Sequence, residues 1–328
     1  LRTRQRGMQN WDGKIHYITK TGQFKIGLLP KVYDMCIEMG IKPKVVDMRQ
    51  PLPKVSKVVT NIGKYKLRPE QEKAVKAVIN NKIGNTPFHI GVLDYTVNAG
   101  KTLIMSSLYL SYKKQLKTLL ITNDSDWLNQ AREEFKQYLP GEDITFVQGK
   151  VLNWSNFTIG MVQSISRNMR FYQKELSQID MVLIDEADQG GSKQYQNVIT
   201  RLFNTRIRIG LSGTIYMSKL AKDKVKNMNL ECFFGKVIAE FKLKDSIKKG
   251  YSTKTVVKMV PGKPWYGNWE SDCISYKEIY DDSITNCYTA WLMAYNRLLW
   301  NLNQGRYPAL VVCKHIAHCE NLYKFFKK

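Results

Sequence analysis

Apolar positions in this chain fall in short unbroken blocks separated by longer stretches with helical spacing. From Leu67 to about Ile215 the two kinds of stretch alternate. Leu67 to Ile79 carries a helical pattern, Phe88 to Asp94 is a continuous apolar run, and Leu103 to Tyr112 is helical again. Then come a strand pattern at Thr118 to Thr122, a helix at Ser125 to Tyr138, and strand patterns at Ile144 to Gln148 and Phe157 to Val162. Met181 to Asp185 is a strongly apolar strand ending in acid, Tyr195 to Phe203 is helical, and Arg206 to Leu211 is a last strand. Strands apolar on both faces that alternate with helices predict a parallel, doubly wound α/β sheet. Ligands of such sheets bind beyond the carboxyl ends of the strands, and Lys101, Asp185 and Ser212 all fall just past predicted strand ends.

The flanking regions read differently. Asn10-Trp11-Asp12-Gly13-Lys14 lies between two strand-like runs and predicts a hairpin. Ile26 to Met39 predicts an amphipathic helix ended by Gly40, and Pro43, Pro51 and Pro53 mark a connector. Beyond the sheet, Ile284 to Leu302 predicts a helix and Ala309 to Cys313 a new buried strand. The pattern therefore predicts three parts: a small basic α+β accessory domain at 1–66, an α/β lobe at 67–245, and a linker with the start of a second lobe at 246–328. A second lobe with a single strand signal is incomplete, because a sheet needs several strands to bury itself.

Composition narrows the partners. The 328 residues are 43% hydrophobic, ordinary for a globular chain. No apolar run approaches the roughly 18 residues of a membrane span, so no membrane role is expected. The six cysteines show no Cys-x-x-Cys spacing, which suits a reducing, cytoplasmic setting. The net charge is +23 with a pI near 9.6, and such an excess points to an anionic partner, nucleic acid above all. Residues 1–66 hold fourteen Lys/Arg against four Asp/Glu, and residues 219–263 hold twelve lysines against four acids. Trp265, Tyr266 and Trp269 sit in an aromatic-rich loop, where they either anchor it on apolar surface or stack on bases. Cys313, His315, His318 and Cys319 are four potential metal ligands within seven residues. They straddle a predicted strand end and helix start, a poor arrangement for tetrahedral convergence.

The chemistry is carried by two stretches. After the strand at Phe88, a tight loop leads into Gly100-Lys101-Thr102 and a helix. A helix N-terminus offers backbone N–H groups and a favourable dipole to phosphate. Gly100 permits close approach, Lys101 reaches the β- and γ-phosphates, and Thr102 can ligate Mg²⁺. Tyr95 stands where the full phosphate-loop pattern has Gly, and Asn98 takes a loop position where positive φ is tolerated best by Gly and Asn. Asp185-Glu186-Ala187-Asp188 follows a buried strand. There Asp185 suits Mg²⁺ coordination, and Glu186 can orient and deprotonate an attacking water.

Together these motifs resemble those of superfamily 2 helicases, across nearly the whole chain. Leu67-Arg68-Pro69-Glu70-Gln71 resembles the entry motif whose Gln reads adenine, here Gln71. Tyr95 to Thr102 resembles motif I, which places Asn98, Ala99, Gly100, Lys101 and Thr102 against ATP. Thr122-Asn123-Asp124 resembles motif Ia and Thr158 to Ser164 motif Ib, implying nucleic-acid contacts at Asn123, Gln163 and Ser164. Asp185 to Asp188 resembles motif II and Ser212-Gly213-Thr214 motif III, so Asp188, Ser212 and Thr214 would couple ATP state to DNA grip. The segment around Asn10 to Lys14 with Gly27-Leu28-Leu29, and the region from Cys313 to His318, are similar to the bacteriophage UvsW-type recombination helicases; Trp11 would then touch DNA. The resemblance implies two RecA-like lobes with ATP and Mg²⁺ between them. It further implies an ATP-driven motor on duplex or branched DNA, in the cytoplasm of a phage-infected bacterium. Tyr95, Asn98 and Ile215 depart from the usual motifs. An RNA helicase, a restriction-complex motor, or a binding module with a degenerate nucleotide site are the alternatives. The arginine fingers of such motors would lie beyond Lys328.

Overall fold

The computed structural model describes residues 14–112, 115–149, 151–215, 223–254, 275–306 and 310–327. The predicted hairpin around Trp11 and the loop of Trp265, Tyr266 and Trp269 lie outside these residues. The chain divides into two compact units, residues 1–254 and 255–328.

The first unit is built on one sheet. Its long strands are β5 (Ile90–Tyr95), β6 (Thr118–Thr122), β7 (Ile144–Gln148), β9 (Phe157–Met161), β10 (Met181–Asp185), β11 (Ile207–Ser212) and β12 (Val237–Phe241), with the short β8 (Val151–Leu152) at one edge. The spatial order is β12-β5-β11-β10-β6-β9-β7-β8. Seven strands are parallel and β8 alone runs antiparallel, against β7. All residues of β5, β6, β10 and β11 are buried, as their apolar runs predicted. Successive side chains enter opposite faces. Leu93 and Leu183 join one core with α2 (Pro69–Ile79), α3 (Lys101–Ser111) and α4 (Ser125–Tyr138). Val92, Val182 and Ile184 join the other, with α5 (Val162–Arg167), α6 (Gln173–Ser177), α7 (Lys193–Ile199) and α8 (Lys224–Phe234). The short helix α9 (Leu243–Lys248) follows β12.

The basic N-terminal segment is fastened to this lobe. A 3-10 turn, Ile26–Leu28, leads into α1 (Leu29–Glu38). Leu28 is buried in the second core. A Cβ at Gly27 would lie 2.1 Å from the Glu231 carbonyl oxygen, so only Gly permits that approach to α8. Farther on, Arg49 donates to the Thr205 carbonyl at 2.6 Å and Arg206 to that of Gln50 at 2.8 Å. Val59 is tied to α3 on both sides: its N–H donates to Ser111 Oγ and its carbonyl accepts from Ser107. Two small hairpins, β1 (Asn61–Ile62) with β2 (Tyr65–Lys66) and β3 (Lys82–Ile83) with β4 (Thr86–Pro87), flank α2.

The second unit is helical where it is described. It contains α10 (Tyr276–Tyr280), a π turn at Asp281–Thr285, α11 (Tyr288–Asn303) and α12 (Ile316–Phe326). Phe325 packs against Tyr288, Trp291 and Tyr295, and the rings of His315 and His318 lie around Tyr280. The buried strand expected at Ala309 to Cys313 does not form over its described residues: Leu310 is 87% exposed and Val312 81%. A strand needs a neighbour for its backbone groups, and the described residues of this unit contain none.

Candidate nucleotide site and strand-end row

The loop between β5 and α3 gets its shape from two residues with positive φ. Asn98 has φ 62° and Gly100 has φ 74°, the latter as the residue before α3. Asn98 thus adopts the backbone its position called for. Tyr95, the departure from the phosphate-loop pattern, is a fully buried tie: its hydroxyl donates to the Glu70 carbonyl at 2.8 Å and its ring lies against Phe241. Gln71 is 1% exposed. Its Oε1 accepts from the Arg68 N–H at 2.8 Å, closing a capping box on α2, and its Nε2 donates to the Ala99 carbonyl at 2.8 Å. A Cβ on Gly100 would come within 2.3 Å of that Nε2. Arg68 donates to the Asn98 carbonyl at 3.2 Å and stacks on Tyr251, 4.3 Å from the ring centre. The loop is therefore held from behind by Arg68, Gln71 and Tyr95, and Val97 is left open at its tip, 71% exposed.

Lys101, the first residue of α3, faces the end of β10. Its Nζ lies 3.5 Å from Asp185 Oδ1 and 3.7 Å from Glu186 Oε1. Thr102 follows it on the same turn, its carbonyl accepting from Ser106. Asp185 is 2% exposed, and burial raises its carboxyl above the usual range despite the opposing Lys101 charge. Among the described residues its Oδ1 accepts no hydrogen bond. A buried carboxylate oxygen with only the Lys101 ammonium 3.5 Å away, beside the phosphate loop, fits a Mg²⁺ ligand. Mg²⁺ commonly takes only one or two carboxylates and completes its shell with waters and phosphates. The described residues hold no cluster of three acidic, His or Cys side chains suited to a metal, and such a site does not require one.

Glu186 sits at φ 50°, ψ 50°, a left-handed conformation that a non-glycine residue adopts at a cost. Its pKa is raised by burial and by the neighbouring Asp185 and Asp188, against the pull of Lys101. A raised carboxyl is a better proton acceptor once ionised. The kink starts a 3-10 turn, Ala187–Gln189. Asp188 accepts from the Ser212 hydroxyl at 2.9 Å, and Ser212 Oγ in turn accepts from the Thr214 N–H at 3.1 Å. Gly213 packs on the start of the loop: a Cβ there would be 3.1 Å from the Tyr95 carbonyl oxygen.

The residues expected to touch nucleic acid lie one and two strands farther along. Asn123 follows β6, and Gln163 and Ser164 open α5 after β9. Asn123 donates its side-chain amide to Gln189 Oε1, and its carbonyl accepts from Gln163 Nε2 at 3.2 Å. Ser164 is buried and accepts from the Gly149 N–H at 2.9 Å. Trp11 lies outside the described residues. Gln189 drew no attention in the sequence because it is one polar residue after an acidic motif. Only the adjacency of β10 and β6 puts it beside Asn123.

Residues 64–217 match the family described as type III restriction enzyme, res subunit. The ATP-dependent DNA helicase uvsW of Enterobacteria phage T4 is 22% identical over 228 residues, covering 63% of this chain and 43% of that protein. The chain is thus similar to type III restriction-enzyme res subunits and to this phage helicase. The first unit has the RecA-like α/β fold seen in helicase structures. Two crystal structures of bacteriophage T4 UvsW share it at a TM-score of 0.55. One is 22% identical and covers 72% of this chain and 85% of its own; the other is 20% identical and covers 98% and 64%. The chain spans less than half the length of the curated relative it matches. No helix among the described residues is long and apolar enough to cross a membrane.

Proposed function

We propose that this helicase-family chain is an ATP-dependent motor on DNA, duplex or branched, with Mg²⁺ as the metal partner of ATP. The observation that carries the reading is the convergence of Lys101, Asp185 and Glu186 within 3.7 Å at the carboxyl edge of a parallel sheet, beside a loop with two left-handed residues. ATP phosphates sit in the loop against the N–H groups at the start of α3. Lys101 would neutralise their charge, and Thr102 and Asp185 would hold Mg²⁺, which would supply further positive charge against the phosphate oxygens. Glu186 orients water for in-line attack and takes its proton. Phosphoryl transfer needs mostly positioning and charge neutralisation, and these residues supply both. The net charge of +23 supports a polyanionic partner. The UvsW relative, an ATP-dependent DNA helicase of a phage by name, supports DNA as that partner; recombination or repair in phage-infected cytoplasm is the setting proposed with it.

ATP hydrolysis measured with duplex DNA, branched DNA and RNA side by side tests this. DNA is expected to raise the rate most. Stimulation by RNA alone would favour an RNA helicase, and absence of ATP binding would leave a nucleic-acid-binding module with a degenerate nucleotide site.

A further inference from the structure

Four neighbouring strands, in the order β11-β10-β6-β9, end in a line. Their ends carry a row of side-chain and backbone groups joined by hydrogen bonds and, between Asp188 and Gln189, by the chain itself. Thr214 bonds to Ser212 beyond β11, and Ser212 donates to Asp188 beyond β10. From the same 3-10 turn, Gln189 accepts from the Asn123 amide beyond β6, and the Asn123 carbonyl accepts from Gln163 beyond β9. The row crosses from the ATP-facing half of the edge to the half proposed to face nucleic acid. Gln189 makes the link where the two halves meet.

The turn that carries Gln189 is short and stiff. It begins at Glu186, in its left-handed conformation, and Ala187 within it is fully buried. Its end is pressed on α8: a Cβ at Gly190 would meet the Phe234 ring at 2.2 Å. A shift of the Glu186 backbone toward a bound phosphate would carry Asp188 and Gln189 with it, because they share one tightly packed turn. The Asn123 amide spent on Gln189 is a donor of the kind that binds a phosphodiester oxygen. Strand binding at Asn123 and the position of the Glu186 turn thus draw on one hydrogen bond.

We infer that Gln189 is a positioning residue whose bond to Asn123 transmits nucleotide state to the nucleic-acid grip. This rests on the motor reading above. Allosteric coupling of this kind is a ratio of affinities and is reciprocal, so it can be read by binding alone.

The test uses the full chain and a short fluorescein-labelled DNA duplex, its Kd measured with and without a non-hydrolysable ATP analogue and Mg²⁺. The wild-type Kd values are expected to differ by roughly five-fold or more. Gln189→Ala should bring their ratio close to one while the affinity for the analogue stays at the wild-type value. Gln189→Glu keeps the acceptor oxygen and should keep the ratio. In a cycle with Asn123→Ala, the double variant should uncouple no further than Gln189→Ala does, since both act on one bond. A wild-type ratio retained by Gln189→Ala overturns the inference, as does a ratio lost equally by Ala and Glu, or a wild-type ratio of one. A wild-type chain that binds the analogue but no DNA or RNA overturns the motor reading itself, and this inference with it.

Discussion

Lys101 stands between two carboxylates, and the proposed function gives each of the three a separate part in holding and cleaving ATP. Lys101→Ala removes the cation proposed to meet the β- and γ-phosphates, so tight ATP binding should be lost in a filter or fluorescence binding assay. Glu186→Gln keeps the shape and removes the proton acceptor. ATP should then bind and stay, with single-turnover hydrolysis slowed by roughly 10²-fold or more. Hydrolysis by Glu186→Gln at the wild-type rate would show that Glu186 is not the base. Asp185 gives a pH prediction. Its pKa is raised, so burial outweighs the attraction of Lys101. A carboxyl whose folded pKa lies above its unfolded value favours the fold at low pH and loses that contribution as pH rises through the folded value. At neutral pH the ligand-free fold therefore carries a penalty at this position. Asp185→Asn should raise the stability of the ligand-free protein at pH 7 by on the order of 1 kcal/mol. The gain should shrink as pH falls into the ordinary carboxylate range, and Mg²⁺·ATP should no longer raise Tm. A lower Tm for ligand-free Asp185→Asn at pH 7 would contradict this.

At the scale of elements, the phosphate loop is a backbone shape propped by α2. Gly100→Ala places a methyl group where only 2.3 Å separates it from Gln71 Nε2, on a residue with φ 74°. Both the strain and the clash act in the same direction, so a loss of roughly 1–3 kcal/mol in chemical denaturation is expected, together with weakened ATP binding. Asn98→Gly should be tolerated, because Gly takes the same left-handed conformation at least as readily. Much of this was legible beforehand. Asn98 was readable as a positive-φ position because few other residues accept one. The strands at Thr118–Thr122, Ile144–Gln148 and Met181–Asp185 have the bounds their apolar runs predict. The edge strand β12 and helix α8 were not legible. Their stretch holds so many lysines that it reads as a basic surface, yet Leu230, Phe234, Ala239 and Phe241 are buried. The strand expected at Ala309 to Cys313 failed for the opposite reason: an apolar run specifies that a segment can be buried, not that a neighbouring strand exists to bury it.

For the molecule as a whole, charge is the dominant long-range property. DNA affinity should fall steeply with salt, since each phosphate neutralised releases counterions. Deleting residues 1–66 would also remove Leu28 and Ile62 from the lobe's cores, so charge substitution is the cleaner probe of that basic segment. Lys42→Glu with Lys44→Glu changes two exposed residues of it. If both meet phosphates, the slope of log K against log[salt] should flatten by roughly two units, with ATP binding unchanged. An unchanged slope would mean that this face of the segment only meets solvent.

Three things follow from the sequence alone: the sheet class, the phosphate loop with its facing acids, and the demand for an anionic partner. Each is local or compositional. Strand periodicity, a Gly-Lys-Thr turn and an excess of lysine are all properties of short stretches or of totals. The tertiary structure decided which strand lies beside which. That order brought Tyr95 under Glu70, Gln71 behind Gly100, and Gln189 to Asn123, pairs 25 to 66 residues apart in the chain. Such pairings are not written in any short stretch, because a polar side chain does not announce its partner. They arise only when packing both faces of the sheet fixes where each strand ends.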